Sequence, residues 1–170
     1  MGRESSIIYK SIRVGQYGKL FTILKFRTMC PGADRLGPQS TRADDPRITP
    51  LGKFLRRHKI DELPQLWNVL KGDMSIVGPR PTTPEVIHTL TRKEKDVILS
   101  VKPGLTDLAS LYDINEEERL KGSKDPHAKF MKEIYPEIKR LQIYYVNHRS
   151  FRLNLKIIWQ TIRKLLLRRA

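Results

Sequence analysis

The chain reads as an α+β fold dominated by helices, with a small antiparallel β-hairpin near its N-terminus. Three observations predict it. Two runs rich in β-branched and aromatic residues flank the turn signal Gly15-Gln16-Tyr17-Gly18. Most of the chain beyond residue 50 carries apolar residues at helical spacing. The length, 170 residues, favours a single domain over 1–170. That length also buries a core without disulfide or metal staples.

The elements follow in order. Residues 7–14 read as a strand, and Leu20 to Thr28 as its hairpin partner, with Leu20, Leu24 and Phe26 on one face and Lys25 and Arg27 on the other. Residues 30–50, rich in Pro, Gly, Asp, Ser and Thr, read as a loop of functional length. Within it, Asp44-Asp45-Pro46-Arg47-Ile48-Thr49-Pro50 is expected to be ordered and extended, because each proline restricts the residue before it. Leu51 to Ile60 reads as a strongly basic helix. A second begins near Asp61, with Pro64 in its first turn. Leu63, Leu66, Trp67 and Leu70 fall on one face of it, and Gly72 is a stop signal. Residues 84–101 read as a helix and 102–106 as a turn. Residues 115–121 and 126–148 read as helical, with a break or kink expected at Pro136. The last helix spans about 152–169, with an apolar stripe at Leu155, Ile158, Ile162 and Leu165, and a basic edge.

The charge narrows the partners. There are 33 Lys and Arg against 18 Asp and Glu, a formal +15, and no acid follows Glu137. Such an excess points to polyanions: nucleic acid, anionic lipid headgroups or phosphorylated substrates. Helix-turn-helix, zinc-finger and RNA-recognition signatures are absent, which weighs against nucleic acid. The single Cys30 excludes an internal disulfide framework and fits a reducing compartment. No run reaches the ~18 apolar residues of a transmembrane helix. Residues 1–6 match a myristoylation pattern, a short and common one. The basic amphipathic helices suit an anionic membrane surface; the default alternative is that the last one packs on the core.

Candidate chemistry gathers around Asp61 and Glu62. Adjacent acids at a helix start are held ionised by its partial positive charge and open N–H groups. One can attack phosphorus as a nucleophile while its neighbour holds Mg²⁺. They can equally be an N-cap and a dipole-complementing acid. Arg80 lies between Pro79 and Pro81 in Gly78-Pro79-Arg80-Pro81, a turn that fixes a planar guanidinium for phosphate. Arg56, Arg57 and Lys59 precede the acids on the basic helix, suited to phosphates or headgroups, or simply solvated. Lys25 and Arg27 share a strand face that can line a phosphate site or stand exposed.

Read together, the motifs resemble the bacterial sugar transferases, the monotopic polyprenol-phosphate phosphoglycosyl transferases. The resemblance rests on Lys25-Phe26-Arg27-Thr28-Met29, Asp45-Pro46-Arg47-Ile48-Thr49, Asp61-Glu62-Leu63-Pro64-Gln65-Leu66-Trp67-Asn68-Val69, Gly72-Asp73-Met74-Ser75, Val77-Gly78-Pro79-Arg80-Pro81 and Lys102-Pro103-Gly104-Leu105-Thr106, in family order. It implies transfer of a sugar phosphate from a UDP-sugar to polyprenol (undecaprenyl) phosphate at the cytoplasmic membrane face, initiating glycan assembly. It implies Asp61 as covalent nucleophile, Glu62 as Mg²⁺ ligand, and phosphate binding by Lys25, Arg27, Arg47, Arg56 and Arg80, with Pro79 and Pro81 shaping the turn. Three departures stand out. The family's re-entrant membrane hairpin would precede the first strand, where Met1 stands, so the chain is expected to lack it. Asn154 and Gln142 occupy positions where many members carry aspartate. The arginine many members carry after Leu-Ala-Ser is not evident near Tyr112-Asp113-Ile114. These departures motivate an alternative, a degenerate member acting as a membrane-surface scaffold.

Overall fold

The computed structural model describes residues 6–33, 36, 40–113 and 115–167. Ile114, Arg168, Arg169 and most of the myristoylation pattern lie outside the described residues. The expected α+β arrangement holds: helices dominate, and an N-terminal hairpin stands at one end of the chain.

Strands β1 (Ile8–Val14) and β2 (Leu20–Phe26) pair antiparallel, with Ile8 opposite Phe26 and Val14 opposite Leu20. Gly18, at φ 79°, occupies the left-handed region that a glycine adopts without steric cost. The inward face of β2 carries Phe21 and Ile23, whereas Leu20 is exposed. The sequence grouping by Leu20, Leu24 and Phe26 therefore marks the other face. Both faces of this strand are apolar enough that alternation alone does not choose between them.

In the described part of the long loop, residues 43–47 form turns rather than the expected extended run: Asp45 N donates to Arg42 O at 3.2 Å and Ile48 N to Asp45 O at 3.1 Å. An isolated bridge joins Met29 to Ile48, and Thr49 Oγ1 caps the next helix by accepting from Gly52 N at 3.0 Å. That helix, α1 (Pro50–Arg57), lies directly on the backbone just beyond β2. A Cβ on Gly52 would sit 2.0 Å from the Thr28 carbonyl oxygen. The helix stops at Arg57 because Lys59 takes a left-handed φ of 55°. A 3₁₀ turn, Ile60–Glu62, carries the acidic pair, and α2 (Gln65–Leu70) begins only after Pro64. So Asp61 and Glu62 precede the helix rather than open it.

Helix α2 is seated with its polar side inward. Gln65 and Asn68 are buried, while Leu63, Leu66, Trp67 and Leu70 are exposed. Asn68 supplies the reason: its Nδ2 donates to Thr22 O at 2.8 Å and its Oδ1 accepts from Leu24 N at 3.1 Å. One amide thus pairs with the free edge of β2 as a neighbouring strand would.

Residues 102–106 are not only a turn. Strands β3 (Ser75–Val77) and β4 (Gly104–Thr106) pair in parallel, three residues each, too short to show periodicity. The region 84–101 divides into α3 (Pro84–His88) and α4 (Arg92–Ile98), because Thr91 and Glu94 form a reciprocal capping box. Three short helices follow: α5 (Leu108–Tyr112), α6 (Glu116–Arg119) and α7 (Pro126–Lys129). A π-helical turn, Phe130–Ile134, leads into α8 (Tyr135–His148). Pro136 does not break α8; it lies in the first turn, where its missing N–H costs little.

The main core gathers Ile87, Leu90, Ile98, Leu120, Ile134 and Ile138. A second joins Val77, Leu111 and Tyr145 to Ile157 of α9 (Phe151–Leu167). The expected stripe on α9 is split: Ile158 and Leu165 are partly covered, but Leu155 and Ile162 are exposed. Among the described residues, no helix is long and apolar enough to cross a membrane.

Candidate functional site

The acidic pair opens onto a cavity of about 470 Å³. Its walls come from both hairpin strands, the long loop, α1, the 3₁₀ turn, the segment 80–83, α6 and the face of α8. Arg13, Lys25, Arg27, Arg47, Arg56, Lys59 and Arg80 all line it. These cations share the cavity with the carboxylates of Asp61, Glu62, Glu116 and Glu117.

Asp61 is 8% exposed, and its Oδ1 has no hydrogen-bond partner. Burial pushes its carboxyl above the ordinary range, and the neighbouring Glu62 charge adds to that. Lys25, Lys59 and Arg56 pull the other way. Glu62 differs because two cations hold it. Its Oε1 accepts from Lys25 Nζ at 3.0 Å and from Arg80 Nη2 at 2.8 Å. Burial alone would raise the Glu62 carboxyl, but Arg80, Lys25 and Lys59 together drive it well below the usual range. Burial lowers the Lys25 ammonium, and Glu62 partly offsets this. The Arg80 guanidinium is raised, chiefly by Glu62. One acid is therefore fixed as an anion while its neighbour stays unpartnered.

The other expected basic residues have distinct surroundings. Arg56 donates through Nε to Thr28 Oγ1 at 2.8 Å and through Nη1 to Glu117 Oε1 at 3.0 Å. Arg47 grips Asp45 through two bonds, Nε to Oδ1 at 3.0 Å and Nη2 to Oδ2 at 2.7 Å, and donates to Ala33 O at 2.9 Å. Its guanidinium braces the loop at the cavity rim. Arg27 donates to Ser6 O at 2.7 Å and lies over the Tyr9 ring, 5.8 Å from its centroid. Pro79 is buried beneath the turn, and Pro81 lines the cavity with Arg80.

Close backbone packing places the Arg80 turn. Gly104 N donates to Pro79 O at 2.9 Å, and a Cβ on Gly104 would meet Gly78 N at 2.1 Å. Below it lies Asp107, fully buried, a residue the sequence reading passed over. It caps α5 by accepting from Ser110 N at 2.6 Å. Burial raises its carboxyl, opposed by Ser110 and by the charge and backbone N–H of Arg80. The signal available in sequence was the N-cap position before Leu108, which says nothing of burial. Glu117, the Arg56 partner, was also missed, because a 61-residue separation has no local signature.

Oxygen ligands for a Mg²⁺ ion exist here. The anionic Glu62 is a hard donor of the kind Mg²⁺ takes, and the Oδ1 of Asp61 is left open beside it. No group of three His, Cys, Asp or Glu forms a candidate metal site among the described residues. Mg²⁺ commonly takes only one or two protein carboxylates, so Glu62 would suffice as the protein's ligand to it.

The two departures at the C-terminal end separate cleanly. Asn154 Oδ1 accepts from the Tyr145 hydroxyl at 2.9 Å, tying α9 to α8. Gln142 instead lines the cavity.

The model of the bacterial sugar transferase family matches residues 1–168. The chain is 40% identical, over 95% of its length, to an uncharacterized sugar transferase, EpsL, of Bacillus subtilis, and spans 71% of that protein. It is 36% identical, over 94% of its length, to the galactosyl transferase CpsE of Streptococcus agalactiae. It is 32% identical, again over 94%, to a UDP-N-acetylgalactosamine-undecaprenyl-phosphate N-acetylgalactosaminephosphotransferase of Aeromonas hydrophila. The chain spans only 34% and 35% of these last two proteins.

Proposed function

The chain belongs to the bacterial sugar transferase family, and from that premise we propose that it transfers a sugar phosphate from a UDP-sugar to polyprenol phosphate through a covalent intermediate on Asp61. The observation that carries this reading is the unpartnered, buried Oδ1 of Asp61 beside a Glu62 locked by two cations. An oxygen with no hydrogen bond to break is free to attack, and a basic cavity attracts the diphosphate that presents the phosphorus.

In the first half-reaction, Asp61 attacks the sugar-bearing phosphorus. A P–O bond forms to the carboxylate, the bond to the α-phosphate oxygen breaks, and UMP leaves with that electron pair. In the second, an oxygen of the polyprenol phosphate attacks the same phosphorus and releases Asp61. Lys25 and Arg80, already converged on Glu62, face the developing charge on the diphosphate oxygens. Arg56, fixed by Thr28 and Glu117, supplies a further charge at the cavity wall. A Mg²⁺ held by Glu62 supplies neutralisation of diphosphate charge.

A lipid acceptor places the reaction at a membrane, and we assign this to the cytoplasmic face of the inner membrane. Exposed apolar residues on consecutive helices support contact with a bilayer: Leu51 and Phe54 on α1, then Leu66, Trp67 and Leu70 on α2. Lys53, Arg57 and Lys71 stand exposed beside them, suited to anionic headgroups. Trp159 on α9 is also 66% exposed.

The test is intact-protein mass spectrometry after incubation with Mg²⁺ and UDP-sugars, without lipid. A phosphosugar adduct on the wild type, missing in Asp61→Asn, is the expected result. UMP release that survives Asp61→Asn overturns the mechanism. Vesicle binding without any adduct or UMP release would favour the scaffold reading.

A further inference from the structure

The cavity wall divides by charge. The hairpin, the long loop, α1, the 3₁₀ turn and the Arg80 turn supply its lysines and arginines. The stretch from α7 to α8 contributes His127, Phe130, Tyr135, Ile138 and Gln142, with no lysine or arginine. Tyr135, Ile138 and Gln142 are spaced i, i+3, i+7, so they form one stripe of α8.

Gln142 is the anomaly on that stripe. It is 2% exposed, and its Nε2 has no hydrogen-bond partner. Buried polar groups are nearly always satisfied, and an unmatched amide donor this deep needs a cause. Gln142 is left as an open donor on the uncharged wall. A nucleotide sugar has the same division, with a charged diphosphate and neutral ends. If the diphosphate takes the cationic wall, a neutral end falls to the α8 wall.

We propose that Gln142 on the α8 wall is a specificity-determining residue, its Nε2 donating to an acceptor oxygen on the uncharged portion of the nucleotide-sugar donor. This rests on the transferase reading above. The shared chemistry is a hydroxyl or carbonyl oxygen, from either the sugar or the nucleobase. A site built to donate to such an oxygen discriminates against donors that lack it in the right place.

The experiment measures affinity and adduct rate for UDP-glucose, UDP-galactose, UDP-N-acetylglucosamine and UDP-N-acetylgalactosamine, with UMP and pyrophosphate as part-ligands. Wild type is compared with Gln142→Leu and Gln142→Glu. Gln142→Leu removes the orphan donor, so its Tm is expected to equal or exceed that of the wild type. Its affinity for the preferred donor is expected to fall about fivefold, the worth of one neutral hydrogen bond. Gln142→Glu, which presents an acceptor instead, falls further. Pyrophosphate binding stays unchanged in Gln142→Leu, the variant that adds no charge to the wall. A loss that varies between sugars and spares UMP locates the oxygen on the sugar; an equal loss for UMP locates it on the base. Unchanged donor binding in Gln142→Leu, or an equal loss for pyrophosphate, overturns the proposal. Wild-type protein that forms an adduct while Gln142→Leu behaves identically sinks only this assignment. Wild-type protein that binds no UDP-sugar sinks the transferase reading with it.

Discussion

At the scale of single residues, two neighbouring acids are driven in opposite directions by their surroundings. Asp61 is raised by burial and by Glu62, and Glu62 is lowered by Arg80, Lys25 and Lys59 against its own burial. The nucleophile must be ionised, so adduct formation should fall as pH drops through the raised Asp61 value, above the usual carboxylate range. The half-reaction rate, followed by mass spectrometry across pH 4.5–8 (about the span over which carboxylates and histidines titrate), checks this. A flat profile would mean that Asp61 is not the titrating group. Replacing Glu62 with Gln removes the anion that Lys25 and Arg80 share, and should cost at least about 100-fold in adduct rate, the scale of losing a preorganised electrostatic partner.

At the scale of elements, α2 is the instructive case, because its buried side is polar and its exposed side apolar. Asn68→Ala leaves the Thr22 carbonyl and the Leu24 N–H without partners. Both bonds are part-buried, so a loss of about 1–3 kcal/mol is expected, at roughly 0.5–1.5 for each of the two, measured by urea unfolding. The opposite face behaves differently. Ser at Leu66, Trp67 and Leu70 should shift stability by less than about 0.5 kcal/mol each, as exposed substitutions do, while reducing binding to anionic vesicles. A large stability loss in that triple variant would mean that the face is packed rather than offered to a bilayer. Gly52 packs α1 against the backbone just beyond β2, at a Cβ distance of 2.0 Å from Thr28 O. Gly52→Ala must therefore move α1 or that backbone, and Arg56 with it.

At the scale of the whole molecule, buried carboxylates set the pH response. Asp61, Asp107, Asp113 and Glu116 are all raised, each chiefly by burial. A raised carboxyl favours the folded state while it is protonated. Its contribution is full below the unfolded value, about pH 4, and lost as pH rises through the folded value. Glu62 has the opposite sign: its contribution is present above the unfolded value and lost as pH falls. Asp107→Asn keeps an acceptor for Ser110 N but removes the buried charge. It should raise the Tm at pH 7–8, with the gain shrinking towards pH 4, each 1 kcal/mol reading as about 2–4 °C in a chain of this size. Scanning calorimetry at several pH values is the check, and a Tm below wild type at neutral pH would show that the Asp107 anion is structurally required.

The sequence by itself determined the fold class, the hairpin and the ordered run of motifs around Asp61 and Glu62, because turn residues, β-branched runs and contiguous motifs are local signals. It also located Arg80 on a proline-flanked turn. Only the tertiary structure decided which face of each element turns inward. Helix α2 buries Asn68 instead of its leucines because the edge of β2 needs a hydrogen-bonding partner. It alone brought Lys25 and Arg80 onto one oxygen of Glu62 from 37 and 18 residues away. It alone turned Arg47 onto Asp45, set Glu117 on Arg56, and left Gln142 buried without a partner in the cavity wall. Spacing along a chain reports periodicity, but charge pairing and burial depend on which surfaces meet, and those contacts are made between segments far apart in sequence.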